Sequence, residues 1–341
     1  SGAGLRSAFK YLLGIRRHSA GLTLRPTNKH TTDFLAADVG SRWLRQSVSR
    51  EPFFLFIHAQ AAHLPYYPPL PYHDQFTDDL SAPKAAQTVF KITSTYLKAT
   101  ADRCEFDDDT YAAIRAMYDA KIAYADDQVN RLFRTLQALD TDETVFIVTS
   151  DHGDLHGEYG ILGHLLALHD GVTHVPLVIH APEYMLDFFG DADSLIQHID
   201  VMRTLLAMAG AETDQLHGHD LRREERPVVV SQRGPTYYDK RLAEIHEHDA
   251  DYEPPTGHSG ALTALRSEDY KYLSNGESQQ LFALPDESTE IGAHYPDVVE
   301  QFKRHMCNLP TNANTALRTN HEKTLPDDVR QQLTDMGYLV E

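Results

Sequence analysis

The segment from Tyr111 to Leu139 constrains this chain most, because Tyr111, Ile114, Tyr118, Ile122, Ala125, Val129, Leu132, Leu136 and Leu139 recur alternately three and four residues apart. That spacing places them in one stripe along a single long helix. The turn Asp140-Thr141-Asp142-Glu143 then leads into Thr144-Val145-Phe146-Ile147-Val148-Thr149-Ser150, a β-branched run that predicts a strand ending at Asp151-His152-Gly153. A helix followed by a buried strand is half of a βαβ unit, so the expected core is α/β.

Other segments extend this core. Thr31-Thr32-Asp33 is a candidate cap for a helix through Phe34, Leu35, Val39, Trp43 and Leu44. The continuous apolar run Pro52 to Ala59 reads as a strand buried on both faces, and the Pro- and Tyr-rich stretch from His63 to Pro69 as a loop. Val175 to His180 is a further strand, followed by a helix over Ile199 to Ala209 closed by Gly210. Beyond Arg226 the character changes: short strand candidates at 228–231, 263–266, 270–273 and 280–284 predict a small antiparallel sheet, with one helix over 296–306. The expected division is 1–225 for the α/β part, 226–309 for a small α+β subdomain, and 310–341 for a polar tail with a short helix near 326–336.

Composition narrows the partners. The formal charge of −19 comes from 50 acidic residues, 32 of them Asp, against 31 basic ones of which ten are Lys. Such a field repels a phosphate backbone, so nucleic acid is not an expected partner. Asp excess with few Lys also fits a protein hydrated in concentrated salt, where screening weakens self-repulsion, and a halophilic character is expected. No apolar run approaches the roughly 20 residues needed to span a bilayer. The opening Ser1-Gly2-Ala3-Gly4-Leu5 has neither Met nor a charged-then-apolar leader, so the sequence is expected to start part-way through a longer polypeptide. Cys104 and Cys307 stand far apart with no CxxC pattern. Two unpaired thiols are expected, which favours an intracellular, cytoplasmic compartment.

Chemistry is expected beyond the carboxyl ends of the strands, where open α/β sheets bind ligands. Asp151 and His152 converge on one ion only if the chain has left the strand, which Gly153 permits. A carboxylate with an imidazole suits Ca²⁺, Mg²⁺, Mn²⁺ or Zn²⁺, while the plainer alternative is a pair that caps the next helix. The Gly-punctuated stretch from Gly153 to His164 is longer than a simple turn and carries more imidazole and carboxylate groups. At the end of the other strand, His63 is placed to donate to a bound oxyanion or to protonate a leaving oxygen. With 20 His in the chain, any single one is more often a surface or satisfied residue, and His58 reads as structural.

In order and spacing, several of these segments resemble the sulfatase family of the alkaline phosphatase superfamily. They are Phe53 to His58 through Tyr66, Tyr118 to Val129, Thr149-Ser150-Asp151-His152-Gly153, Gly157 to His164, Val175 to Val178 and His198 to Val201. Gly218 to Leu221, Ala264-Leu265-Arg266 with Tyr270-Lys271-Tyr272, and Leu281 to Leu284 with Glu290 extend the likeness to about residue 300. The resemblance implies a three-layer α/β/α sandwich around a mostly parallel mixed sheet, with a small C-terminal antiparallel sheet and helix. It implies a sulfuric ester hydrolase with one divalent metal, Ca²⁺ first and Mg²⁺ or Mn²⁺ next. Asp151 and His152 would be metal ligands, and His63 the histidine at the ester and its leaving oxygen. His164 would stand where many members place a sulfate-binding Lys, and a neutral imidazole there weakens an anion clamp. The substrate would be a sulfated or phosphorylated small molecule or glycan.

The same resemblance calls for an earlier acidic pair and a Cys-x-Pro/Ala-x-Arg motif whose Cys or Ser becomes formylglycine, the nucleophile. Cys104 is followed by Glu105-Phe106-Asp107-Asp108 and Cys307 by Asn308-Leu309-Pro310-Thr311, and neither fits. The expectation is a chain that lacks the nucleophile region and is inactive alone. Two rivals remain at this stage: a phosphodiesterase or phosphonate monoester hydrolase of the same superfamily, and a noncatalytic remnant that binds anions or a partner.

Overall fold

A computed structural model describes residues 28–47, 52–77, 82–139, 143–186, 189, 193–223 and 225–309. The basic opening stretch and the tail with its expected helix lie outside the described residues. The chain forms two compact units, 1–296 and 297–341. In the second, the helix Pro296–Cys307, already expected from the sequence, buries Phe302.

The first unit is organised around α4, Asp108–Gln137, with α1 (Asn28–Ser47) and α2 (Ala82–Ser94) packed against it and the short α3 (Tyr96–Ala101) between α2 and α4 in sequence. Asp107 caps α4 by accepting the Thr110 N–H at 2.8 Å, and Asp108 and Asp109 favour the positive end of the helix dipole. The buried face of α4 is Ala113, Ile114, Ala116, Met117, Ala120, Lys121, Tyr124, Gln128, Leu132, Thr135 and Leu136. It is turned from the stripe expected from the large apolar residues, and Ile122 is 46% exposed. Alanines decide this: they let Leu64, Tyr66, Tyr67, Ala85, Ala86 and Val89 approach Ile114 and Met117 closely. Burial of side chains such as Met117 and Ile114 stabilises by about 1.5–3 kcal/mol each.

After α4, β1 (Phe146–Thr149) pairs antiparallel with β4 (Leu177–His180), with Phe146 opposite His180 and Thr149 opposite Leu177. Between them lie β2 (Leu155–His156), β3 (Leu162–Gly163) and α5 (Asp170–Thr173). Every strand pair among the described residues is antiparallel, so the partner that would complete the expected βαβ unit is not among them. The run from Pro52 to Ala59 also departs from expectation. It is assigned to no strand, and Phe54 and Phe56 are 69% and 74% exposed while Phe53, Leu55 and Ile57 are half-buried. Alternation of this kind is that of an extended chain covered on one face only. Apolar composition marks the segment for burial but does not supply the second layer.

Two short helices follow, α6 (Glu183–Leu186) and α7 (His198–Met208), the latter ending at Gly210 with φ +79° as its position in the sequence demanded. The sheet β5 (Val229–Arg233), β6 (Leu262–Arg266), β7 (Tyr270–Ser274) and β8 (Gln279–Ala283) is an antiparallel meander in that order. The helix α8 (Pro235–His246), with Pro at its first turn, was not anticipated from the sequence. Its Tyr238 and Ile245 complete a core with Leu155, Ile161, Leu165, Leu166 and Val172. That core carries the loop in which the candidate site lies.

Candidate active site

The chain leaves β1 at Thr149 and turns at Gly153, whose N–H donates to the Val172 carbonyl at 2.8 Å. His152 is thereby placed beside the loop after β3, and its ring centroid is 3.9 Å from that of His164. His63, from the loop after the 52–60 segment, completes the group at 5.5 Å from His164 and 6.2 Å from His152. Asp151 stays at the rim: its side chain is 48% exposed, and Oδ2 is 3.9 Å from His152 Nε2.

The hydrogen bonds fix the imidazole tautomers. His63 Nδ1 lies 2.7 Å from the Leu64 carbonyl, and His152 Nδ1 lies 2.9 Å from the Gly153 carbonyl. A carbonyl only accepts, so each Nδ1 carries the hydrogen, and each ring turns the chemistry of Nε2 outward. His164 Nδ1 is held in the same sense by Asp154 Oδ1 at 2.8 Å. The Asp154 side chain is only 4% exposed, and its other oxygen accepts from Tyr66 Oη at 2.7 Å. Burial pushes the Asp154 pKa up, but the His164 and Tyr66 bonds and the nearby His152 outweigh it and hold the carboxyl below its ordinary value. Burial first, then the Asp154 charge, raises the Tyr66 phenol, so it remains a donor.

The sequence reading missed Asp154 as a partner of His164. Its spacing of ten residues from His164 carries no periodic signal, and only the β2–β3 reversal, with Leu155 opposite Gly163, brings the two together. His198 was also missed as a neighbour of the turn: its Nε2 donates to the Ser150 carbonyl at 2.8 Å. His156 faces away, packed edge-on against Tyr118 at 4.4 Å and Tyr66 at 5.6 Å, and burial lowers its pKa. Both cysteines are free thiols; Cys104 is buried, which pushes its pKa up to about 12 and keeps it in the thiol form near neutral pH.

His152, Asp154 and His164 each offer a ligand atom within 4.8 Å of the others. Two imidazoles and a carboxylate, with Asp151 at the rim, fit a divalent ion, since imidazole suits borderline ions and carboxylate suits hard ones. A ligating histidine ordinarily donates its second N–H to a carbonyl or carboxylate, as His152 and His164 do here.

The sulfatase family model matches residues 8–211. The chain belongs to the sulfatase family. It is 28% identical over 189 residues to the uncharacterized sulfatase YidJ of Escherichia coli (strain K12), which covers 53% of this chain and 37% of that protein. It is 26% identical over 330 residues to arylsulfatase K of Gallus gallus, covering 86% of this chain and 58% of the relative. Among solved structures, the phosphonate monoester hydrolase of Agrobacterium radiobacter superposes with a TM-score of 0.62 at 24% identity, over 81% of this chain and 60% of that one. A second structure, solved with its substrate D-glucosamine-2-N,6-O-disulfate, gives 0.53 at 16% identity over 89% and 70%. These likenesses establish the α/β fold of alkaline phosphatase type for this sulfatase-family chain. No helix among its described residues is long and apolar enough to cross a membrane.

Proposed function

We propose that this chain forms the metal-turn and leaving-group side of a metal-dependent sulfuric ester hydrolase. The observation that carries the proposal is the convergence of His63, His152 and His164 from three separate loops, with Asp154 buried behind His164. In this reading Asp151 and His152 hold one divalent ion, which supplies positive charge to ester oxygens. His63, with Nδ1–H committed to a carbonyl, turns Nε2 toward the leaving oxygen and delivers a proton there. His164 orients the anionic group. The proposed division is 1–225 for the site-bearing part, 226–309 for the small α+β subdomain and 310–341 for the remainder.

The sequence contains no Cys-x-Pro/Ala-x-Arg pattern, so the nucleophile is proposed to come from polypeptide outside these 341 residues. The chain spans 37% and 58% of the two curated relatives above, which supports that reading. The test is hydrolysis of an aryl sulfate by the 341-residue chain with added divalent metal. No turnover is expected, and turnover abolished by His63→Ala would overturn the dependence on an outside nucleophile. Ca²⁺ is the proposed ion, with Mg²⁺ and Mn²⁺ as competitors in a titration; a site preferring Mn²⁺ replaces it.

A phosphodiesterase or phosphonate monoester hydrolase of the same superfamily is the second reading. The superposition on the phosphonate monoester hydrolase of Agrobacterium radiobacter is the observation that favours it. In the complete protein, phosphonate hydrolysis exceeding sulfate hydrolysis selects it. The charge of −19 extends the proposal to a salt-requiring protein, and unchanged urea stability between low and multimolar KCl removes that extension.

A further inference from the structure

Behind the Asp151-His152-Gly153 turn lies a second set of titratable groups, contributed by the start of α5, by the small antiparallel sheet and by the loops flanking it. Asp170 opens α5 and divides its carboxylate between two cations: Oδ1 accepts from Lys271 Nζ at 2.7 Å, and Oδ2 accepts from Arg266 Nε at 3.0 Å. Lys271 also donates to Thr173 Oγ1 at 2.5 Å, so it grips both ends of this helical turn. Glu287, beyond β8, accepts the Asp170 N–H through Oε2 at 2.6 Å and meets His169 Nδ1 through Oε1 at 3.1 Å. His169 Nε2 is 3.1 Å from His258 Nε2, and His258 Nδ1 donates to the Thr256 carbonyl at 3.0 Å. Lys271, His169, His258 and Glu287 are all 7% exposed or less.

The donors and acceptors close without conflict. His258 carries its hydrogen on Nδ1, because Thr256 offers only a carbonyl, so Nε2 accepts and His169 must donate from its own Nε2. One further proton is then shared between His169 Nδ1 and Glu287. Although burial favours protonating Asp170, the Lys271 and Arg266 charges prevail and hold its pKa below the ordinary carboxylate value. A buried network in which every member is satisfied rigidifies what it touches.

What it touches is the backbone that follows His152. The Val172 carbonyl of α5 accepts the Gly153 N–H, and a Cβ on Gly153 would lie 2.2 Å from the Gly171 carbonyl oxygen. No side chain cushions α5 from the turn, so a shift of α5 moves the Gly153 peptide. The carbonyl of Gly153, one Cα beyond that N–H in the next peptide unit, is the acceptor that fixes the His152 ring.

We propose that Asp170 is a positioning residue for the Asp151-His152-Gly153 turn, anchored by Arg266, Lys271 and Glu287 so that α5 fixes the Gly153 peptide and, through it, the His152 imidazole. The proposal rests on the reading of His152 as a site residue. It gives the small sheet a part in the site, although none of its residues is among the three converging imidazoles.

The test is amide hydrogen exchange on the full chain, comparing the parent with Asp170→Asn, Asp170→Glu and the milder Arg266→Gln. Exchange of the Gly153 amide is expected to accelerate about tenfold in Asp170→Asn and less in Arg266→Gln, with partial recovery in Asp170→Glu and no change across α4. Faster exchange within α5 with the Gly153 amide unaltered overturns the proposal. Should Asp170→Asn fail to fold, Arg266→Gln decides by the same rule. Mn²⁺ affinity, read from its electron paramagnetic resonance signal, separates the two claims. A fall that tracks the Gly153 amide supports both. An unchanged affinity with faster Gly153 exchange keeps the mechanical link and removes His152 from the metal site.

Discussion

Two histidine clusters, one on either side of the Gly153 turn, use the same side-chain types to opposite ends. Around His169, each imidazole meets a defined partner, Asp170 and Glu287 are matched by Lys271, Arg266 and His169, and the exposure of the histidines is 1–2%. Around His164, each imidazole commits Nδ1 to a carbonyl or to Asp154 and turns Nε2 outward, and His152 and His164 remain 29% and 21% exposed. A closed network resists change, whereas imidazoles with Nε2 turned out and partly open to solvent retain capacity for a ligand. Histidine content alone does not distinguish them; burial and pairing do.

The contrast breaks first at Asp170. Asp170→Ala leaves Lys271 buried with Thr173 as a neutral hydrogen-bond partner and Glu287 as the nearby negative charge, and removing one member of a buried pair costs about 3–5 kcal/mol. Urea unfolding measures this, and a loss below about 1 kcal/mol would place Asp170 with the open cluster instead. Acid comes next. Burial lowers the His258 pKa from 6.5 to about 4, so the unfolded chain takes up this proton before the folded one does. Stability is therefore fully present above pH 6.5 and falls as pH drops toward about 4, by on the order of 3 kcal/mol from this group. Urea midpoints across that window should fall in the parent and flatten in His258→Gln.

Smaller effects sharpen the open side. Gly153→Ala drives a Cβ against the Gly171 carbonyl and is expected to cost about 1–3 kcal/mol, seen as a lowered melting temperature. Asp154→Asn leaves the fold in place but removes the carboxylate that stands within 4.8 Å of the His152 ligand atom, with divalent metal affinity falling about 10–100-fold in a calorimetric titration. An unaltered affinity there would assign the Asp154–His164 bond to the closed, structural class. Tyr66→Phe removes one donor from Asp154 and should lower stability by about 1 kcal/mol.

Much of the local structure was legible because it depends on neighbours in sequence. The α4 periodicity, the strand that ends at Asp151 and the β5–β8 hairpin pattern all follow from residues a few positions apart. His63, His152 and His164 were legible as candidates for a different reason, namely their positions in loops at strand ends. The face that α4 buries was not legible, since Ala113 and Ala116 became its contact surface only once Tyr66, Ala86 and Val89 were opposite them, and Ala120 once Ala61 and Tyr72 were. Nor was Pro52 to Ala59, whose apolar run fixes its wish for burial but not the presence of a second covering layer. The helix α8 was hidden by its weak apolar pattern among polar residues.

The sequence by itself determined most of the elements and the family they belong to, and it named four candidate residues at the turn and its facing loops, because propensity, periodicity and motif spacing act over short distances along the chain. Only the tertiary structure decided that Asp154 would orient His164, and that Asp170 would meet Arg266 and Lys271 nearly a hundred residues away. Such pairings depend on which loops the folded core brings within 3 Å, and no local rule encodes that distance.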